Sequence, residues 1–232
     1  TTGERNTASG QESLFANTEG DYNTASGYRS LYSNTTAYGN TASGYFTLYS
    51  NTTGTRNTAS GYQSMKSNTT GSYNTTSGSF SLYSNTEGDN NTASGYQSLY
   101  SNTTGAHNTA YGFESLKSNT EGDYNTASGY YSLYSNTTGS NNTAYGSFSL
   151  RYNTTGTRNI AIGYGTLDAP DTENDNLAIG YNALGGSIAG GEKNVAIGNY
   201  SLDAATSGDN NTATGYDALT GNTTGADNTA LG

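Results

Sequence analysis

The chain has no cysteine and no tryptophan, a single proline, histidine and methionine, and only 11% charged side chains across 232 residues. Each shortage excludes something. Without cysteine there are no disulfides and no thiolate metal sites, so sulfur chemistry says nothing about the redox compartment. Hydrophobic residues make up 31%, with Val195 the one valine, which is too little aliphatic volume for an ordinary compact globule. No apolar run is long enough to cross a bilayer as a helix. The opening TTGERNTASG is neither basic nor apolar and does not read as a signal peptide. Acidic residues outnumber basic ones 18 to 8, so phosphate-rich nucleic acid is a poor partner. Low hydrophobicity with a net charge of −10 would ordinarily indicate disorder. Two features oppose that: tyrosine occurs 22 times, and the sequence keeps strict register.

The register is a 17-residue repeat of the form NTASG, an aromatic, SLYSNTTG and two variable positions. Its opening asparagine falls at Asn6, Asn23, Asn40 and onward in steps of 17 to Asn176, then resumes after one added residue at Asn194, Asn211 and Asn228. A fixed short period of this kind marks a repeat architecture. Counting from the opening asparagine, position 3 is Ala in every copy but one (Thr76), position 5 is always Gly, and position 9 is always Leu or Met, from Leu14 to Leu219. One large aliphatic per unit cannot line an amphipathic helix, and Gly, Asn, Ser and Thr disfavour helix.

The expectation is therefore an all-β parallel β-solenoid with one coil per 17 residues. Each coil is expected to hold two short strands and two turns. Strand alternation places positions 3 and 5 on one face, position 9 points inward from the second strand, and NTTG at positions 12 to 15 makes a turn. Identical coils stacked one strand spacing apart set Leu on Leu and Asn on Asn in hydrogen-bonded ladders. At ~4.8 Å per coil, such a stack is about 65 Å long.

The aromatics obey a rule of their own. Position 6 is usually Tyr, as at Tyr28, Tyr45, Tyr62, Tyr96 and Tyr130; where it is Ser79, Ser147 or Asn199, the next residue is Phe80, Phe148 or Tyr200. A one-residue shift flips facing in a straight strand, so the exchange implies a bend. Position 10 adds a second row: Tyr32, Tyr49, Tyr83, Tyr100 and Tyr134. Two stretches are distinguished: residues 1–158, rich in Tyr, Ser and Thr, and residues 159–232, where the units read NIAIG, NLAIG and NVAIG and Ile160, Ile162, Leu177, Ile179, Val195 and Ile197 are expected to thicken the apolar face. The sequence opens and closes inside a unit without a cap, so flanking segments or further copies are expected at the ends.

NIAIGYGTL, NLAIGYNAL and NVAIGNYSL resemble the head repeats of trimeric autotransporter adhesins of the YadA-like type, and NTASGYQSLYSNTTG resembles a longer variant in bacterial surface fibres and phage tail fibres. The resemblance spans essentially the whole chain. It implies a left-handed parallel β-roll, three chains around one axis, and an extracellular, cell-surface or virion fibre whose role is adhesion. Departures are the longer coil and Ser rather than an aliphatic at position 4 of most early copies.

No enzyme is expected. His107 sits at a variable turn, and no Ser–His–Asp arrangement is visible. No metal site or cofactor is expected either. The carboxylate pairs Glu19/Asp21, Glu87/Asp89 and Glu121/Asp123 and the DAPDTEND segment (Asp168, Asp171, Glu173, Asp175) read as solvated turns before they read as calcium ligands. The NTT sequons follow from the repeat without glycosylation. The candidate binding residues for a cell-surface glycan or protein receptor are Tyr28, Tyr45, Tyr62, Tyr96, Tyr130, Tyr32, Tyr49, Tyr100 and Tyr134. Positions 7, 16 and 17 face solvent and carry any specificity. The alternatives to an adhesive, homotrimeric fibre are an ice-binding solenoid, given the recurrent threonines, and a purely structural end-to-end filament.

Overall fold

The computed structural model describes residues 2–169, 172–186, 191–204 and 207–232. It divides into two compact units, residues 1–121 and 122–232, each built the same way. The first carries β1 (Thr7–Ser9), β2 (Thr24–Ser26), β3 (Thr41–Ser43), β4 (Thr58–Ser60), β5 (Thr75–Ser77), β6 (Thr92–Ser94) and β7 (Thr109–Tyr111). The second carries β8 (Thr126–Ser128), β9 (Thr143–Tyr145), β10 (Ile160–Ile162), β11 (Leu177–Ile179), β12 (Val195–Ile197), β13 (Thr212–Thr214) and β14 (Thr229–Leu231). Within each unit every strand pairs in parallel with the next coil's strand, residue for equivalent residue: Thr24 on Thr41, Ala25 on Ala42, Ser26 on Ser43. The pairing continues through the added residue, with Ala178 on Ala196. This is a parallel β-solenoid, with no helix among the described residues.

The coil departs from expectation in one respect. It holds a single three-residue strand, at positions 2 to 4; positions 6 to 11 form successive turns instead of a second strand. The reason lies in the backbone. In mid-chain Gln97 and Leu99, at positions 7 and 9, have φ of 53° and 51°, and the same left-handed conformation recurs at both positions in every coil and at position 17. Alternating left-handed residues cannot continue a pleat. The turns nevertheless pair coil to coil: Leu31 N–H donates to the Thr47 carbonyl at 3.0 Å and Ser33 N–H to the Tyr49 carbonyl at 3.0 Å. The backbone is thus paired without a second strand.

Ala at position 3 and Leu or Met at position 9 form the core, fully buried from Leu31 to Leu202, with a small buried Ser, Thr or Ala at position 8. The position-5 glycine closes the strand's end. Gly95 has φ +136°, and a Cβ there would collide with the carbonyl oxygen of Gly112 in the next coil. Only glycine supplies both the backbone angle and the clearance.

Two buried asparagine columns complete the interior, and the expected ladders are present. At position 1, Asn40 N–H donates to Asn23 Oδ1 at 2.9 Å, and Asn57 N–H to Asn40 Oδ1 at 2.9 Å. At position 12, Asn68 Nδ2 donates to Asn51 Oδ1 at 2.7 Å and Asn85 Nδ2 to Asn68 Oδ1 at 2.7 Å. Both columns also donate to the same carbonyl at position 15: Asn40 and Asn51 reach the Gly54 oxygen, each at 2.9 Å. Burying an amide costs free energy unless its hydrogen bonds are made, and in these coils both donor and acceptor are used. The asparagines of the NTT sequons at Asn34, Asn51, Asn68, Asn102, Asn136 and Asn153 belong to this column and are fully buried, which keeps their Nδ2 atoms from any sugar.

Candidate functional site

With the interior filled by Ala, Leu and Asn, chemistry toward a partner falls to three outward rows: the strand face, the aromatic band and the variable corner. Positions 2 and 4 point away from the buried alanine. In the first unit the strand face is hydroxylic and uncharged, with Thr24, Ser26, Thr41, Ser43, Thr58, Ser60, Thr75 and Ser77 all exposed. In the second unit the same face turns aliphatic. Ile160 and Ile162 are 40% and 39% exposed and Ile197 37%, with Leu177, Ile179 and Val195 half-buried beside them and Tyr145 exposed at the edge. The apolar face that these six residues thicken is thus the outward one: flanking an inward alanine, they form an outward apolar patch and are not part of the core.

The aromatic band brings the predicted tyrosines together within each unit. Tyr28 stacks on Tyr45 and Tyr45 on Tyr62, ring centroids 5.3 Å apart in both pairs; Tyr32 stacks on Tyr49 at 5.1 Å, and Tyr83 on Tyr100 at 5.1 Å. Tyr96 stacks on Phe113 at 5.3 Å. In the second unit Tyr130 meets Phe148 edge-on at 5.4 Å, and Tyr134 meets Tyr131 at 4.9 Å. The exchange between positions 6 and 7 has its expected cause, a bend: the Phe80 ring lies 5.3 Å from Tyr62 and 6.1 Å from Tyr96, filling the row where Ser79 leaves a gap. Position-7 rings also tie the two rows together, with Phe46 4.9 Å from Tyr49.

Cations sit over this band, which sequence reasoning did not single out. Arg29 lies 5.2 Å from the Tyr28 ring centroid and 5.4 Å from Tyr32, while its Nε donates to Glu12 at 2.6 Å. Lys66 lies 5.6 Å from both Phe46 and Tyr83, and Arg151 lies 5.0 Å from Phe148. Lys66 and Arg151 occupy position 10, where Tyr is the commonest residue in the early copies. That substitution was the available signal, since a cation there keeps contact with the rings of adjacent coils. In the stacked stretches ring faces turn toward one another, and phenol edges are what solvent meets.

Of the three positions expected to face solvent, 17 is mostly exposed and 16 mostly half-buried, whereas position 7 lies mostly half-buried in the aromatic band and is buried at Glu114. Nor are the corner residues independent. Arg56 donates to the Tyr73 hydroxyl at 2.7 Å, one coil away, and Arg158 forms a bidentate pair with Asp175 at 2.5 and 2.8 Å. That hydrogen-bonded guanidinium holds the Asp175 carboxyl below the usual carboxylate range. Position 16 is structural when its side chain accepts: Asp21 Oδ1 takes the Glu4 N–H at 2.6 Å, and Asp89 Oδ1 the Ser72 N–H at 2.6 Å. These two carboxylates of the NTEGD turns thus cap a neighbouring coil. Among the described residues no three acidic or histidine side chains gather as metal ligands. Of the DAPDTEND segment, Asp171 lies outside the described residues, Asp175 pairs with Arg158, and Asp168 sits half-buried at position 10. His107 is exposed at the corner. No helix among the described residues is long and apolar enough to cross a membrane. A scan against known family models finds no match, and neither does a search of curated proteins.

Proposed function

We propose that this chain is a non-enzymatic segment of an extracellular fibre, displayed on a cell or virion surface. It acts as a structural repeat that presents an ordered array of side chains for attachment to glycan, protein or matrix. It works as a homo-oligomer, and the YadA-like resemblance makes that oligomer a trimer. The observation that carries the reading is the aliphatic patch on β10, β11 and β12. Three consecutive coils turn six aliphatics outward on a face whose other positions are Thr, Ser and Tyr, apart from Leu231 on β14. Leaving such a patch in water is unfavourable, and an identical face on a second chain covers it without any unpaired polar group. The aromatic band and variable corner then remain for a receptor.

Mass in solution tests this. The chain should run as a trimer, and Ile160→Ser with Ile179→Ser and Ile197→Ser should give folded monomers. A parent chain that is monomeric at all concentrations removes the association, and an open-ended polymer favours the filament instead.

A second reading, ice binding, draws on one specific feature. The strand face of the first unit supplies regular Thr and Ser columns in coil-to-coil register, Thr41 on Thr58 and Ser43 on Ser60. NTASG provides this face, not the NTTG turn. Thermal hysteresis in dilute solution supports it, and its absence removes it.

A further inference from the structure

The tyrosine columns have a chemical consequence beyond the fibre reading and independent of it. In an isolated chain, two phenols seventeen residues apart meet only by diffusion. Here Tyr32 and Tyr49 hold their ring centroids 5.1 Å apart with planes 13° from parallel, and Tyr83 and Tyr100 hold theirs at 5.1 Å and 5°. Tyr28, Tyr45 and Tyr62 form a run of three at 5.3 Å spacing, and Tyr164 and Tyr181 a pair at 5.3 Å. All are partly or well exposed, so a soluble oxidant can reach their edges.

We propose that these stacked pairs are sites of oxidative coupling, giving dityrosine rungs that join neighbouring coils covalently. The co-reactant is hydrogen peroxide, delivered by a peroxidase-class one-electron oxidant. Each phenol loses its hydroxyl proton and one electron to become a phenoxyl radical, whose spin lies partly on the ring carbons ortho to oxygen. Two such carbons bond, and each passes its hydrogen to its own oxygen, restoring both phenols. In sum, two tyrosines lose two protons and two electrons, and one hydrogen peroxide takes them up as two waters. The fold contributes proximity: the second ring already lies in contact when the first is oxidised, replacing a bimolecular encounter with an intramolecular one.

The same molecule contains a control. Tyr22, Tyr38 and Tyr73 are exposed at 54%, 43% and 49%, about as much as Tyr45, Tyr62, Tyr164 and Tyr181 and more than the half-buried Tyr32, Tyr49, Tyr83 and Tyr100. Their neighbours are guanidinium groups, not rings: Arg5 lies over Tyr22, and Arg56 over Tyr38 and Tyr73. The stacked rows also have natural breaks. In the position-10 row, Lys66 stands between Tyr49 and Tyr83, and in the position-6 row, Phe80 fills the place between Tyr62 and Tyr96. Neither carries a phenol, so coupling should stop at Lys66 in the first row and at Phe80 in the second.

The experiment treats the full chain, dilute and folded, with peroxidase and hydrogen peroxide, using an equal mixture of 15N-labelled and unlabelled protein. The expected product shows dityrosine fluorescence and a mass two hydrogens lower per link. Digestion should yield peptides joining Tyr32 to Tyr49 and Tyr83 to Tyr100 within one chain. Tyr49→Phe keeps the ring and removes only the first link. The linked protein should unfold in denaturant at least about tenfold more slowly, because each rung closes a short loop. Links that join labelled to unlabelled chains, or that involve Tyr22, Tyr38 and Tyr73 as often as the stacked pairs, would overturn the proposal. So would the absence of links under conditions that couple a free tyrosine peptide.

Discussion

At position 9 the side chain is always Leu or Met, never Ile or Val, although the chain places Ile freely elsewhere. The backbone explains the choice. Position 9 is left-handed in every coil, at φ 51° for Leu99 and 50° for Leu116. A β-branched side chain in that region is a steric outlier, whereas an unbranched Cβ is tolerated at roughly 1–2 kcal/mol. The other left-handed positions agree: positions 7 and 17 take Arg, Lys, Gln, Glu, Asn, Asp, His, Gly, Tyr and Phe but no Thr, in a sequence full of threonine. Leu99→Ile should therefore cost about 2–4 kcal/mol, far beyond an ordinary isomeric core swap, while Leu99→Met stays within about 1.5 kcal/mol. Urea unfolding of the two variants side by side measures the difference, and equal losses would contradict the backbone argument. Leu99→Asp, which buries an unpaired charge, should be the most damaging of the three. Asp168 offers a milder residue-level case. Burial pushes its carboxyl up to about 6 against a weaker opposing pull from Arg151, and its Oδ1 has no hydrogen-bond partner among the described residues. The unfolded chain gives up this proton more readily than the folded one. Its contribution to stability is therefore complete below about pH 4 and is lost as pH rises through about 6. Asp168→Asn should raise stability at pH 7 by about 1 kcal/mol after solvent screening, with no gain at pH 4, as thermal melts at the two pH values would show.

The coil is the element here, and its asparagines show what a ladder does that a single hydrogen bond does not. Asn91 donates its backbone N–H to Asn74 Oδ1 at 2.8 Å, gives Nδ2 to the Gly105 carbonyl at 2.9 Å, and accepts the Asn108 N–H at 2.9 Å. Asn91→Asp replaces the donor facing Gly105 with a buried anionic oxygen. The expected cost is about 3–5 kcal/mol at neutral pH. It should shrink in acid, because burial raises the new carboxyl's pKa and the protonated form can donate to Gly105. Thermal melts of the variant from acid to neutral pH read this directly, and a loss independent of pH would argue against the buried ladder. Much of the coil is legible in the sequence. Invariant Asn, Ala, Gly and Leu at fixed spacing imply stacking, and the aromatic exchange between positions 6 and 7 implies the bend. The expected second strand is absent because left-handed residues leave no apolar period; their trace is the missing β-branching at position 9. The facing of the aliphatics in NIAIG, NLAIG and NVAIG follows from another rule. Hydrophobicity alone does not say which way a side chain faces, whereas alternation sets positions 2 and 4 opposite the buried alanine. The tyrosine rows can be read as stacks; Lys66 and Arg151 at position 10 mark cations within them, but which ring a flexible Arg such as Arg29 covers is not set by the order of residues along the chain.

Across the whole molecule, the consequence of stacking like on like is that length and stability are nearly separable. Within each unit a strand pairs with the strands one coil before and after it, as β4 does with β3 and β5. Stability is then close to a sum of coil and nearest-neighbour terms, and a coil can leave without disturbing distant ones. Deleting residues 58–74, one full period, joins Asn57 to Thr75 and keeps every remaining Ala, Leu and Asn in its column. The protein should fold with an unchanged circular dichroism spectrum per residue. The loss of one stacked large aliphatic, worth roughly 1.5–3 kcal/mol of burial, is offset in large part by the ordering entropy of the residues removed. Deleting residues 59–74 instead removes one residue fewer and puts the next strand out of step. Buried Ala positions then meet outward Thr and Ser, and both asparagine ladders lose their partners. Alternation makes that error total within the affected coils, so this variant should melt well below the first or show an early, separate transition. The chain tolerates one added residue between Asn176 and Asn194, with the strands on either side still in register. The added residue lies between Leu184 and Gly191, outside the strands; a change of length at the start of a strand moves the strand itself. Circular dichroism melts of the two deletions decide the matter, and equal stability would mean that register is not what holds the coils together.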